Sequence, residues 1–155
     1  MKLFLAGPLF TAAEIAFNVR LKDLLVKAGF EVWLPQEHKP KEITATSIFL
    51  NDVAGIDWCD VVVANMDGPD PDSGTCWECG YAYKKKPIVL FRTDFRVGYE
   101  LRNNERAAAE AGKAPYNLML TESADVRLDL PCKSVAEVAE AIEQALVNLP
   151  PPQLL

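Results

Sequence analysis

The chain of 155 residues holds one histidine, His38, and four cysteines, Cys59, Cys76, Cys79 and Cys132, at irregular spacing. A structural zinc site needs four ligands, usually supplied as two pairs. Here only Cys76 and Cys79 pair, while Cys59, Cys132 and His38 stand alone, so no metal centre is expected. Positive charge is also in deficit: 16 Lys and Arg face 22 Asp and Glu, a net charge of −6. A nucleic-acid groove must neutralise phosphates with basic side chains, so a polymer partner is not expected. The one basic run, Lys84 to Lys86, reads as a solvated helix end. No apolar run approaches the roughly 20 residues that cross a bilayer, and "MKLFLAG" is too short for a secretory signal. The cysteines therefore read as reduced thiols of a cytoplasmic protein. Neither "AGPLFTAAE" nor "DGPDPDSGT" has the glycine-rich pattern with lysine that cradles a nucleotide phosphate.

What is present is enough apolar material, 50% of the residues, to bury one core. A single domain over residues 1–149 is expected, followed by the tail "PPPQLL" at 150–155. Strand and helix signals alternate. "KLFLA" reads as a first strand ended by Gly7-Pro8. Thr11 with Glu14 has capping-box spacing and opens a helix, with Ile15, Val19 and Leu21 to Val26 as its buried face and Gly29 as its stop. "FEVWLP" is a second strand, and "ITATSIFLNDVAGIDWCD" a helix running to Cys59. "VVVANM" has the continuous apolar character of a strand buried on both faces. A helix follows, then a fourth strand in "PIVLF". Residues 92–114 read as a long loop with a partial helix, and "YNLML" and "VRLDL" are short and ambiguous. Ser134 with Glu137 caps a last helix through about Asn148. This alternation implies a parallel α/β sheet with helices on both faces. In such folds ligands sit beyond the carboxyl ends of the strands, which places Gly7-Pro8, 35–40, 67–74 and 92–98 on one rim.

The most unusual stretch on that rim is "DSGTCWECGYA", residues 72–82, behind a loop with three aspartates, two prolines and two glycines over residues 67–74. A C-x-x-C at a helix start can lower a thiol pKa, but the intervening Trp77-Glu78 fits a redox couple poorly. The Glu78 charge would also disfavour a thiolate, so Cys76 and Cys79 read as inert cysteines on a packed helix face. Glu78 is either a solvent-facing helix residue or a half-buried carboxylate held for chemistry. In the second case it can act as a nucleophile towards a sugar carbon. Asp52, on the preceding helix with Asn51 and Asp57, is either surface polarity or a second acidic group.

The stretches "DSGTCWECGYA", "LNDVAGIDWCDVVVANMDG", "KPIVLFRTDFR", "YNLML" and "LFLAGPLFT" together resemble the nucleoside 2-deoxyribosyltransferase family, in the family's order, from about Leu3 to Leu120. The resemblance implies a flavodoxin-like (Rossmann-like) sheet of about five strands and exchange of the base on a 2'-deoxynucleoside, with no metal or organic cofactor. It places Glu78 at the nucleophile and Asp52 at the acid that handles the nucleobase proton. Asp72 falls at the aspartate that holds the sugar hydroxyls. Gly7, Phe10, Gly74 and Phe4 fall at substrate-binding positions. Asn117 matches an asparagine that a neighbouring subunit contributes, which implies a homo-oligomer with shared sites. One position departs from the pattern: many members carry tyrosine where this chain has Phe4, and that hydroxyl bonds the catalytic glutamate. Tyr81, Tyr83 or water would have to orient Glu78 instead.

The mechanism implied is a retaining double displacement, in which a carboxylate below the anomeric carbon stabilises positive charge and then bonds to it. With an unperturbed pKa of about 4.3, Glu78 would be ionised at neutral pH. Two rival readings remain. One is a 2'-deoxynucleoside 5'-monophosphate N-glycosidase, which puts serine and a glycine-rich first loop where this chain has Asp72 and Pro8-Leu9. The other is a non-catalytic nucleoside-binding module.

Overall fold

The computed structural model describes residues 1–95 and 116–149. The elements run β1 (Lys2–Ala6), α1 (Ala12–Lys27), β2 (Glu31–Trp33), α2 (Ala45–Trp58), β3 (Val61–Asn65), α3 (Ser73–Ala82), β4 (Ile88–Arg92), α4 (Leu118–Thr121), β5 (Val126–Asp129) and α5 (Val135–Val147). The sheet order is β2-β1-β3-β4-β5 with every pairing parallel. That is the flavodoxin order, whose direction reverses between β1 and β3.

Helix starts follow local chemistry. The Thr11 hydroxyl accepts the Glu14 amide at 3.2 Å while the Glu14 carboxylate accepts the Thr11 amide at 2.7 Å, which satisfies two free donors at once. Ser134 and Glu137 do the same for α5. A third box, Thr44 with Ser47, opens α2, so the helix starts at Ala45 rather than at Ile43. Gly29, with φ +96°, stops α1 in a conformation that side chains disfavour.

Alternate strand residues feed two cores. Leu3, Leu5, Val61, Val63, Val89 and Phe91 pack with Leu21 and Leu25 of α1 and Val138, Ile142 and Leu146 of α5. Phe4, Ala6, Val62, Ala64, Ile88 and Leu90 pack with Ile56 of α2, Cys79 and Ala82 of α3 and Leu120 of α4. Each fully buried aliphatic side chain contributes roughly 1.5–3 kcal/mol, and this two-sided burial is why β3 is apolar at nearly every position.

Three expectations need correction or completion. Ile15 and Val26 are exposed, and the buried face of α1 is Asn18, Leu21 and Leu25. At about 100° per residue Val26 lies some 140° around the helix from Leu21. "YNLML" resolves into a helical turn: Asn117 caps the single turn α4, its Oδ1 accepting the Met119 amide at 2.9 Å. "VRLDL" supplies the edge strand β5. The partial helix expected within 92–114 lies mostly outside the described residues. Among those described, no helix is long and apolar enough to cross a membrane.

Candidate active site at the carboxyl rim

The carboxyl ends of β1, β3 and β4 form one rim, and side chains on α1 and in the loops tie it together. A Cβ at Gly7 would stand 3.1 Å from the Asn65 Cβ, so glycine lets the end of β1 lie against that of β3. Asn18 is only 5% exposed. Its amide donates to the Pro8 carbonyl at 2.9 Å and to Gln36 Oε1 at 3.1 Å, joining the loops after β1 and β2 through α1. Asp67 joins the loops after β3 and β4. It accepts the Thr93 amide at 2.6 Å, the Asp94 amide at 2.8 Å and the Thr93 hydroxyl at 2.7 Å. Asn18, Asn65 and Asp67 are not among the candidates that the sequence suggests. Their signals were present: an asparagine inside an apolar helical stripe, one ending an apolar strand, and an Asp-Gly turn directly after it.

On this rim α3 begins. Asp72 is its N-cap, Oδ2 accepting the Thr75 amide at 2.9 Å and the Thr75 hydroxyl at 3.2 Å. A Cβ at Gly74 would come within 3.1 Å of that oxygen, so glycine keeps the carboxylate uncrowded. No described donor bonds Asp72 Oδ1, which leaves it available to a ligand. Glu78 lies further along α3, and Asp52 stands half-buried on the neighbouring α2.

The structure brings these three carboxylates into one electrostatic unit. Burial above all, with the charges of Asp52 and Asp72 adding to it, pushes the Glu78 carboxyl up to about 8. Asp52 is also raised, by burial first, with the Asn51 side chain opposing. Among the described residues no cation pairs with any of the three, and no hydrogen bond reaches the Glu78 carboxyl. The expectation of an ionised Glu78 therefore does not hold for the folded protomer, because the desolvation and like charge that raise it meet no compensating donor. Glu78 and Asp52, both raised, titrate as a coupled pair, and near neutral pH that pair retains a proton.

Phe4 is fully buried in the core beneath α2 and α3 rather than at the rim. The Tyr81 hydroxyl donates to Asp57 at 3.1 Å, and Tyr83 lies exposed beside Lys84. Neither bonds Glu78. Phe10 and Asn117 are exposed, and no described contact joins either to the carboxylates. The Cys59, Cys76 and Cys79 thiols are poor ligands and nucleophiles: burial pushes Cys79 up to about 12 and Cys59 up to about 11, and raises Cys76. Among the described residues no group of His, Cys, Asp and Glu is arranged to hold a metal ion.

Comparison with known proteins converges on one family. Residues 3–119 match the sequence model of the family described as nucleoside 2-deoxyribosyltransferase. An uncharacterised protein of Ureaplasma parvum is 34% identical over 121 residues, covering 63% of this chain and 73% of its own. The structure of a 2-deoxyribosyltransferase from Leishmania mexicana superposes with a TM-score of 0.67 at 26% identity, over 92% of this chain and 97% of that one. A 2-deoxyribosyltransferase from Bacillus psychrosaccharolyticus shares the fold over the whole of both chains, with a TM-score of 0.70 at 24% identity.

Proposed function

This chain belongs to the nucleoside 2-deoxyribosyltransferase family, and on that premise we propose that it exchanges the nucleobase of 2'-deoxynucleosides through a covalent 2-deoxyribosyl–Glu78 intermediate, with retention. The observation that carries the reading is the half-buried Glu78 carboxyl at the strand rim, grouped with Asp52 and Asp72 and paired with no described cation.

The Glu78–Asp52 pair retains a proton, and the reaction needs it on Asp52. As the C1'–N bond breaks, positive charge grows on the sugar, which favours ionised Glu78 and leaves the proton to Asp52. Asp52 gives that proton to the departing base, and a Glu78 oxygen bonds C1' from the opposite face. An incoming base nitrogen then attacks C1' from the face the first base left. The ester bond breaks, and the proton on the attacking nitrogen returns to Asp52, so kinetics are ping-pong. The free Oδ1 of Asp72 receives a sugar hydroxyl, Gly7 and Gly74 keep the approach open, and Phe10 covers the ligand from the loop after β1. Phe4 acts from below, by packing under α2 and α3. The substrates are 2'-deoxynucleosides and free purine or pyrimidine bases. Asn117, exposed at the cap of α4 beside the exposed Leu118 and Met119, completes the site of a neighbouring subunit.

Incubation with 2'-deoxyinosine and adenine tests this reading. Deoxyadenosine is the expected product, and Glu78→Ala abolishes its formation. Free sugar released from a deoxynucleoside monophosphate, without transfer, would indicate the glycosidase reading. Binding with no turnover would leave a nucleoside-binding module.

A further inference from the structure

Helix α2 meets the loop after β2 along one face. Asn51 and Gly55 are four residues apart and so lie in line on that face. At Gly55 the Trp33 ring packs so closely that a Cβ would stand 2.6 Å from its Nε1. His38 stacks on Trp33, with ring centroids 4.3 Å apart at 16°. The carbonyl of the buried Leu34 accepts the His38 amide at 3.1 Å. The loop is thereby fixed, and its His38 carbonyl accepts Asn51 Nδ2 at 2.5 Å. A carbonyl only accepts, so this bond sets which way the Asn51 amide points, and Nδ2 keeps a second hydrogen. Burial raises the Asp52 carboxyl, and a hydrogen bond from the Asn51 side chain opposes it, the sense expected when the amide donates to the ionised form. One half-buried amide thus ties the loop after β2 to Asp52.

We propose that Asn51 is the positioning residue of Asp52: its amide, set by the His38 carbonyl, engages one carboxyl oxygen and leaves the other to carry the proton towards the nucleobase. This rests on the acid role proposed for Asp52. Ile56, one turn further along α2, is buried, so Asp52 stands on the inward side of the helix, where its charge reaches Glu78 of α3. Like charge drives two carboxylates apart, and a carboxyl free to rotate would turn away from Glu78 and from the bond to be broken. An acid has to keep its direction to hand over a proton as that bond breaks. The Asn51 tether supplies this restraint, and it does so from the one loop that Trp33 and Leu34 already hold. In the transfer itself the proton passes from the Asp52 oxygen to the base nitrogen while the C1'–N electron pair goes to the base. Asn51 gives up no proton.

A double-mutant cycle on the full chain, with 2'-deoxyinosine and adenine as substrates, tests it. Asn51→Ala should keep its far-UV circular dichroism and lower kcat by about tenfold, part of the hundredfold or more that a placed acid supplies, with KM for the nucleoside little changed. In an Asp52→Asn background the same substitution should cost less than about twofold, because nothing is left to position. Losing a donor to the ionised carboxyl makes Asp52 hold its proton more tightly, so the acid limb of kcat/KM should move to higher pH in Asn51→Ala. In Asn51→Asp, where like charge replaces the donor, it should move further. The Asp52 carboxyl carbon, titrated by NMR, should show the same upward move without any turnover. Equal losses in both backgrounds, or an Asp52 titration that stays in place in Asn51→Ala, would overturn the positioning role while leaving the acid intact. An Asp52→Asn variant that transfers as fast as wild type would overturn the acid and this role with it.

Discussion

Asp67 holds Thr93 twice, through its backbone amide at 2.6 Å and its hydroxyl at 2.7 Å, and so couples the loop after β3 to the loop after β4. The same carboxylate also accepts the Asp94 amide, and the chain between Asp67 and α3 carries Asp72. Asp67→Ala would remove the carboxylate that accepts the Thr93 and Asp94 amides and the Thr93 hydroxyl, at a cost of about 2–3 kcal/mol. The expected result is a Tm lower by roughly 5–10 °C, with Asp67→Asn intermediate. A Tm unchanged in Asp67→Ala would show that the rim does not depend on this link.

The raised carboxyl of Glu78 makes a signed prediction about stability. Its pKa in the folded state, about 8, lies above its ordinary value of 4.5, so the folded state holds the proton more tightly. The stability this contributes is fully present below pH 4.5 and is lost as pH rises through 8. Glu78→Gln removes the titration. The variant should match wild type near pH 4.5 and exceed it above pH 8 by at least about 1.4 kcal/mol, the worth of one pKa unit. Urea unfolding at the two pH values measures this, and parallel curves for the two proteins would contradict it.

The shared proton also shapes the rate. With Asp52 as acid and Glu78 as nucleophile, the productive form carries one proton between them, so kcat/KM for base exchange should be bell-shaped. Its alkaline limb should fall near pH 8, where that proton is lost. In Asp52→Asn one of the two charges that add to burial in raising Glu78 is gone, so the Glu78 titration should move to lower pH while transfer slows by about a hundredfold or more. An alkaline limb that stays in place in Asp52→Asn would separate the two groups.

Asp72 has two separable tasks. As N-cap of α3 it satisfies Thr75, and Asp72→Ala should cost about 1 kcal/mol while Asp72→Ser largely keeps the cap. As a charge it opposes a second anion, so wild type should prefer a nucleoside over its 5'-monophosphate in kcat/KM by about tenfold or more. Both variants should lose that preference, although only the alanine variant loses stability. A preference that survives in Asp72→Ser would place the discrimination elsewhere.

Site sharing is open to complementation. Glu78→Ala and Asn117→Ala subunits should each be inactive, and a mixture that exchanges subunits should recover roughly a quarter of wild-type activity, the statistical share of sites with both residues intact. Demonstrated exchange with no recovery would put each site within one chain.

The sequence by itself determined whatever depends on near neighbours in the chain. The caps at Thr11 and Ser134, the stop at Gly29 and the five-residue strands at Lys2–Ala6 and Val61–Asn65 follow from spacings of three or four residues and from runs of apolar side chains. The parallel α/β sheet followed from their alternation. Tertiary structure decided what depends on groups distant in the chain. Asn18 turns inward because Pro8 and Gln36 wait there, while Ile15 faces solvent. "YNLML" becomes a capped turn because Leu120 packs into the core beneath α3. Above all, the ionisation of Glu78 is invisible in residues 72–82, because burial, with the Asp52 charge from α2 added to that of Asp72, sets it. A carboxyl pKa is a property of the dielectric and charges around it, and only the folded chain assembles those.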